Sequence, residues 1–277
     1  MEELIVLGTG NAAVTRCFNT CFALRQEKEY LLTDAGGGNG ILSALENAQI
    51  PLRQIHHLFV THAHSDHILG VPWIIRMIGT RMNQEKYQGN LHIYCHRELA
   101  EAIRSITALV VQKKISRLFD SRILFHIVED GTELPILGSS FTFYDIRSSK
   151  EKQFGFLCRD KSGRRLAFPG DEPCPEHLYP VFQNADWMFH EAFCLYEDRE
   201  RFRPYEKHHS TVRDACLLAQ QLSVKNLVLW HTEDKDLASR QKRYLREGRP
   251  FFSGTLYVPD DGDKISLSGQ PGPENPA

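Results

Sequence analysis

No stretch of this 277-residue chain is apolar over anything near the roughly 20 residues that a membrane-spanning helix requires. The opening "MEELIVLGTG" starts acidic and lacks the basic segment and cleavage site of a secretion signal. Neither charge is in excess: 33 Lys+Arg against 35 Asp+Glu leave a formal −2. The chain therefore has no global basic field of the kind that holds non-specific nucleic-acid binders to their ligand. The seven cysteines are odd in number and form no CxxC pair, which argues against a disulfide framework. These absences point to a cytoplasmic protein with free thiols and no membrane partner. There is no repeat period and no Gly/Ser linker, so residues 1–267 are expected to form one domain. "SGQPGPENPA" at 268–277 is expected to be a disordered tail, because Pro, Gly and polar residues cannot bury a core.

What is present is ample core material, with 42% hydrophobic residues. Short β-type runs recur: "LIVLG", "YLLTD", "HLFVT", "LHIYC", "FTFYDI", "FGFLC", "LAFPG", "WMFHE" and "NLVLWH". Between them, residues 40–48, 68–78, 98–114, 212–222 and 235–246 carry helical periodicity, with Ser210 the expected cap of the fourth. Strands come in runs and also alternate with helices, so a mixed α/β chain with two sheet regions is expected. "SRQKRYLREGR" at 239–249 is basic, and a solvated helix face is its expected role.

The chemistry concentrates in "HAHSDH", where His62, His64, Asp66 and His67 fall within six positions after an apolar strand. A loop at a strand's C-terminal end can splay neighbouring side chains, so His62 and His64 can address one metal while Asp66 and His67 address a second. Imidazoles with a carboxylate suit Zn²⁺ or Mn²⁺, and paired metals activate water and clamp an in-line displacement. "LIVLGTGNAA" contains G-x-G-x-x-A, but "VTRCFNTCFAL" follows it as loop and strand, without the helix that would hold a pyrophosphate. "DAGGGNG" lacks the Lys-Ser/Thr of a P-loop, and Asp34 in it is placed to face the metal loop from the neighbouring strand.

The H-x-H-x-D-H pattern resembles the metallo-β-lactamase superfamily, and further motifs follow in the family's order over roughly residues 4–235. "FPGDE" at 168–172 matches the loop whose aspartate bridges two metals, which implicates Asp171. "LVLWHTED" at 227–234 ends a strand in a histidine, which implicates His231 as the last ligand. Within the superfamily the chain is most similar to ribonuclease Z, with "HEAF" (190–193) and "HHSTVRDA" (208–215) resembling its H-E-A-T and H-S-T loops. The resemblance implies an αβ/βα sandwich with two mixed sheets inside and helices outside. It implies one or two Zn²⁺, with Mn²⁺ as substitute, and a reaction in which Asp66 positions the attacking water. It further implies His209 as general acid, oriented by Glu191, and a homodimer by analogy.

Two departures shape the functional expectation. Where the family has a third histidine for the first metal, this chain has Arg147, which cannot ligate a metal but can contact a substrate phosphate. Only 24 positions separate Arg147 from Asp171, too few for the tRNA-gripping arm of bacterial ribonuclease Z. The primary expectation is a metal-dependent phosphodiester hydrolase acting on an RNA 3′ end or a small nucleotide diester, cyclic ones included. The alternative is a metal- or ligand-binding relative with reduced or lost catalysis because of Arg147.

Overall fold

A computed structural model describes residues 1–268; beyond Ser268, the expected tail lies outside the described residues. Strands β1 (Glu3–Gly8), β2 (Cys21–Gln26), β3 (Glu29–Thr33), β4 (Ile55–Phe59), β5 (Leu91–Cys95) and β6 (Ile123–Ile127) build one sheet. Strands β7 (Glu133–Ile136), β8 (Ser139–Asp145), β9 (Phe154–Arg159), β10 (Arg165–Phe168), β11 (Trp187–Glu191), β12 (Asn226–Trp230) and β13 (Thr255–Tyr257) build the other. The last strand, β14 (Lys264–Ser266), returns to pair with β1, giving the order β14-β1-β2-β3-β4-β5-β6 against β13-β12-β11-β10-β9-β8-β7.

Both sheets are mixed. Strands β3 to β6 run parallel, as do β10 to β13, while the rest pair antiparallel. Inner strands such as β1, β10, β11 and β12 are buried on both faces, which is why the sequence shows near-continuous apolar runs there rather than strict alternation. In β1, Leu4 and Val6 face the second sheet while Ile5 and Leu7 face the helices. The space between the sheets is filled by aromatics: Phe22 stacks on Trp230 at 4.8 Å and meets Phe168 edge-on at 5.2 Å. Helices cover the two outer faces, completing the expected αβ/βα sandwich. No helix among the described residues is long and apolar enough to cross a membrane.

Three local expectations change in the structure. The helix expected over 68–78 is broken in two, Ser65–Ile68 and Val71–Asn83. The break lies at Gly70, where an added Cβ would sit 1.8 Å from the Ala35 carbonyl oxygen, so the chain passes there only without a side chain. The cap of helix Val212–Gln221 is Thr211, in a reciprocal capping box with Asp214, and not Ser210. The basic helix Leu237–Gly248 is largely solvated, but Arg240 is 3% exposed. Its guanidinium donates to Thr9 Oγ1, Thr232 Oγ1, the Pro259 carbonyl and Asp260, pinning the helix to β1 and the C-terminal segment.

In the middle of β4, His57 lies beside His92, with ring centroids 5.4 Å apart, and its Nδ1 is 2.9 Å from the Tyr94 hydroxyl. Burial, and next the neighbouring His92, push His57 down to about 4. An unfolded imidazole protonates near 6.5, so below that pH the unfolded chain binds the proton that folded His57 refuses. Its stabilising contribution is complete above pH 6.5 and disappears as the pH falls towards 4. The urea midpoint of the wild type should therefore fall more steeply from pH 6.5 to 4 than that of His57→Gln. Equal slopes would show that His57 is not held neutral.

Candidate metal centre

The parallel strands of the two sheets end at one edge of the sandwich, where open α/β sheets leave a crevice. Asp34 follows β3, the 61–67 loop follows β4, Asp171 follows β10, Glu191 ends β11 and His231 follows β12. Asp34 and His231 both adopt left-handed backbone, at φ 57° and 55°. That conformation costs an L-residue about 1–2 kcal/mol, and strain of this kind collects where side chains must be aimed.

The crowding in "HAHSDH" has a conformational explanation. The chain is still extended at His64 (φ −62°, ψ 146°) and turns helical at Ser65. His62 and His64, two apart, share a side, so that His62 Nε2 and His64 Nδ1 lie 2.8 Å apart. The helical turn then redirects Asp66 and His67. His67 Nε2 comes within 3.3 Å of Asp66 Oδ2 and 3.2 Å of Asp171 Oδ2. Asp171 Oδ2 also lies 3.5 Å from His62 Nε2 and 3.6 Å from His231 Nε2. Two overlapping donor groups result, His62–His67–Asp171 and Asp66–His67–His231, all buried.

The outer nitrogens of these rings are already committed. His67 Nδ1 is 2.7 Å from Asp34 Oδ2, His62 Nδ1 is 2.8 Å from Thr61 Oγ1, and His231 Nδ1 is 3.2 Å from Thr20 Oγ1. Asp34 also accepts from the Thr61 amide at 2.8 Å and hydroxyl at 2.9 Å. Such partners fix a ligating imidazole's tautomer and aim its other nitrogen inwards. His67 Nε2, thus aimed, is fully buried and makes no hydrogen bond. Burial alone would raise Asp171, but the His62, His67 and His231 rings hold it well below the usual carboxylate range. Burial pushes His62 well down and His231 down to about 4, against the pull of Asp171. Buried carboxylates facing the imidazoles of His62, His67 and His231, with the His67 Nε2 orphaned, fit a divalent cation.

The second set of predicted residues borders this cluster. Glu191 Oε1 accepts from the Ser210 amide at 2.6 Å and from its hydroxyl at 2.5 Å, which is the task Ser210 performs instead of capping. Glu191 Oε2 lies 3.6 Å from His209 Nδ1, and both atoms are buried without a hydrogen bond. The His209 ring stacks on Phe193 at 5.0 Å and lies 5.1 Å from the His231 ring.

Arg147 does not stand at the ligand position that the resemblance gives it. It is exposed, on left-handed backbone (φ 56°), and its amide donates to Asp145. It does not enter the cluster. The side chain that does is Gln153, 1% exposed, whose Nε2 lies 2.5 Å from Asp171 Oδ1. Sequence reasoning missed Gln153 because an amide in a polar loop carries no ligand signal; its one clue is a place two residues before Gly155. That glycine is required, since a Cβ there would lie 2.3 Å from the Phe168 carbonyl oxygen.

A family model described as "Anti-Pycsar protein Apyc1" matches residues 2–247. The chain belongs to the Apyc1 family. Apyc1-family membership is accompanied by similarity to ribonuclease Z of Pyrococcus abyssi, 28% identical over 97% of each chain. Among solved structures, the metallo-β-lactamase fold protein YhfI of Bacillus subtilis superposes with a TM-score of 0.77 at 17% identity, over 96% of this chain and 99% of that one. The short form of human tRNase Z gives 0.74 at 20%, with the same coverage. The fold of this Apyc1-family chain is thus the metallo-β-lactamase fold.

Asp34 supports the cluster without belonging to either donor group. Asp34→Asn should weaken metal retention by about 10–100-fold, measured by competition with a chromogenic chelator. Retention equal to the wild type would remove Asp34 from the site's architecture.

Proposed function

We propose that this chain is a metal-dependent hydrolase of phosphodiester bonds in small nucleotide diesters, cyclic nucleotides foremost. The observation that carries the reading is the convergence of His62, Asp66, His67, Asp171 and His231 in one buried crevice, with His64 beside His62 and with His209 and Glu191 at its border. Zn²⁺ suits the imidazole-rich donors, with Mn²⁺ the substitute. Bound there, divalent metals would supply a water activated near neutral pH and charge neutralisation at the phosphoryl oxygens.

The chain's own residues divide the remaining work. Asp66, ionised, holds the attacking water as hydrogen-bond acceptor. His209 delivers the proton to the leaving oxygen. Glu191 is positioned to orient it, since its Oε1 is held by Ser210 while Oε2 faces His209 Nδ1, which leaves His209 Nε2 for the substrate. Phe193 keeps the ring in plane by stacking. Cations at the crevice mouth receive the non-bridging phosphate oxygens. Lys150 Nζ is 3.2 Å from Glu172 and 2.8 Å from the Lys207 carbonyl, and Arg147 is exposed on the same loop.

Small substrates are favoured because residues 147–171 are used up by a loop, β9, the turn held by Asp160 and β10. Nothing in that span can reach out to a folded RNA. Similarity to archaeal ribonuclease Z over nearly the full length supports RNA 3′-end cleavage as the second reading. Lost catalysis has less support, because Arg147, which motivated it, stands outside the cluster.

His209→Ala should lower kcat on bis(p-nitrophenyl) phosphate by about 10²–10⁴, with bound metal unchanged. Unchanged kcat would remove His209 from the reaction. Assayed side by side, a 3′,5′-cyclic mononucleotide should be turned over with a higher kcat/KM than precursor tRNA. The reverse order would favour the RNA reading.

A further inference from the structure

We infer that the two metal positions of this crevice are unequal, and that Gln153 completes the first of them as a neutral oxygen donor. The inference rests on the metal-dependent reading above. It concerns binding alone, so its test is independent of turnover.

The second position has Asp66, His67 and His231 converging, with the Asp171 carboxylate beside His67 and His231. It offers two carboxylates and two imidazoles. The first position has His62 Nε2 and His64 Nδ1 together, with Asp171 Oδ2 3.5 Å from His62. His67 also lies within reach of His62 and Asp171, but it is shared with the second position; among the described residues no other histidine, cysteine or carboxylate joins that group. On the Asp171 side of this group stands the carboxamide of Gln153, its Nε2 against Asp171 Oδ1, while the next residue's amide donates to the Thr61 carbonyl beside His62.

The orientation of that amide follows from chemistry. An ionised carboxylate only accepts hydrogen bonds, so the NH₂ end of Gln153 must face Asp171. Its Oε1 has no hydrogen-bond partner among the described residues and remains a free lone-pair donor. The side chain is held on several sides. Gly170 lies so close that a Cβ there would fall 2.7 Å from Gln153 Nε2. The Gln153 carbonyl accepts from Ile146 at 3.0 Å, and the next amide, of Phe154, donates to Thr61 at 3.2 Å, beside His62. One residue earlier, Lys152 Nζ lies 3.3 Å from Glu98, which lies 2.9 Å from His96, and His96 stacks on Phe154. The loop is thus fastened on both sides of Gln153, as a group needs to be if it is to hold a donor in place.

An amide oxygen is a harder and weaker donor than an imidazole nitrogen. It suits Mn²⁺ or Mg²⁺ better than Zn²⁺. The second position should therefore fill first and tightly with zinc, while the first binds zinc weakly and accepts manganese.

The full chain, stripped of metal and gel-filtered, would be titrated with Zn²⁺ and with Mn²⁺ by calorimetry, and bound metal counted by elemental analysis. The wild type should bind one zinc at least about tenfold more tightly than any second. Gln153→His should bring the second zinc to within a few-fold of the first. Gln153→Ala, a smaller change that guards against misfolding of the histidine variant, should lose manganese from the weaker position and keep the tight zinc. Two equally tight zinc ions in the wild type would overturn the inference, as would either folded variant with the wild-type metal profile. A protein with the unequal profile but no diesterase activity would sink the proposed function and leave this inference standing. A protein that binds no metal would sink both.

Discussion

Asp171 Oδ2 faces three imidazoles, of His62, His67 and His231, at 3.5, 3.2 and 3.6 Å. The three rings come from loops after β4 and β12, and Asp171 comes from the loop after β10. The two sheets must therefore pack face to face with their parallel C-terminal ends at one edge. The aromatic layer of Phe22, Phe168, Phe189 and Trp230 fixes that packing. Its rings lie on β2, β10, β11 and β12, three of which lead directly into the site. Packing and chemistry are coupled here through a few residues of chain.

The site keeps what folding would ordinarily avoid. Three carboxylates, Asp34, Asp66 and Asp171, are buried at one edge, and His67 Nε2, His209 Nδ1 and Glu191 Oε2 have no hydrogen bond. Orphaned buried polar atoms each cost about 1–3 kcal/mol, and Asp34 and His231 add left-handed backbone. Under the proposed function, a bound cation would offset the carboxylate charge and a substrate would meet the His209 edge. Features that cost folding free energy at this edge are of the kind that collects at functional sites.

The support around the reactive groups is built from short contacts between neighbours on adjacent strand ends. Asp34 holds the Thr61 backbone and the His67 ring together, so the 61–67 loop is fastened to the end of β3. Ser210 ties the 208–211 loop to β11 through Glu191. Gln153 ties the loop before β9 to Asp171. Each tie joins two segments that meet at the site, which is how a scaffold holds loops in a fixed geometry.

The sequence by itself determined the strands, the two-sheet α/β class, and the cluster of "HAHSDH" with Asp171, His231, Glu191 and His209. The strands and "HAHSDH" were legible from local periodicity and ligand-type spacing, whereas Asp171, His231, Glu191 and His209 were legible only through the resemblance of their loops to those of the metallo-β-lactamase superfamily. It also placed Asp34 beside the metal loop, since the end of one strand lies next to the end of its neighbour. Only the tertiary structure decided which polar residue entered the cluster from the 147–153 loop. Arg147 and Gln153 are six positions apart in a loop without periodicity, and no local rule says which points inwards. The close approach of β9 to β10 at Gly155, and the seat left by Gly170, turn Gln153 towards Asp171 and leave Arg147 in solvent. Ser210 was misread as a cap for a similar reason. Ser210 and Thr211 are equivalent to local rules, and only the position of Glu191 on a strand distant in sequence assigned each its partner.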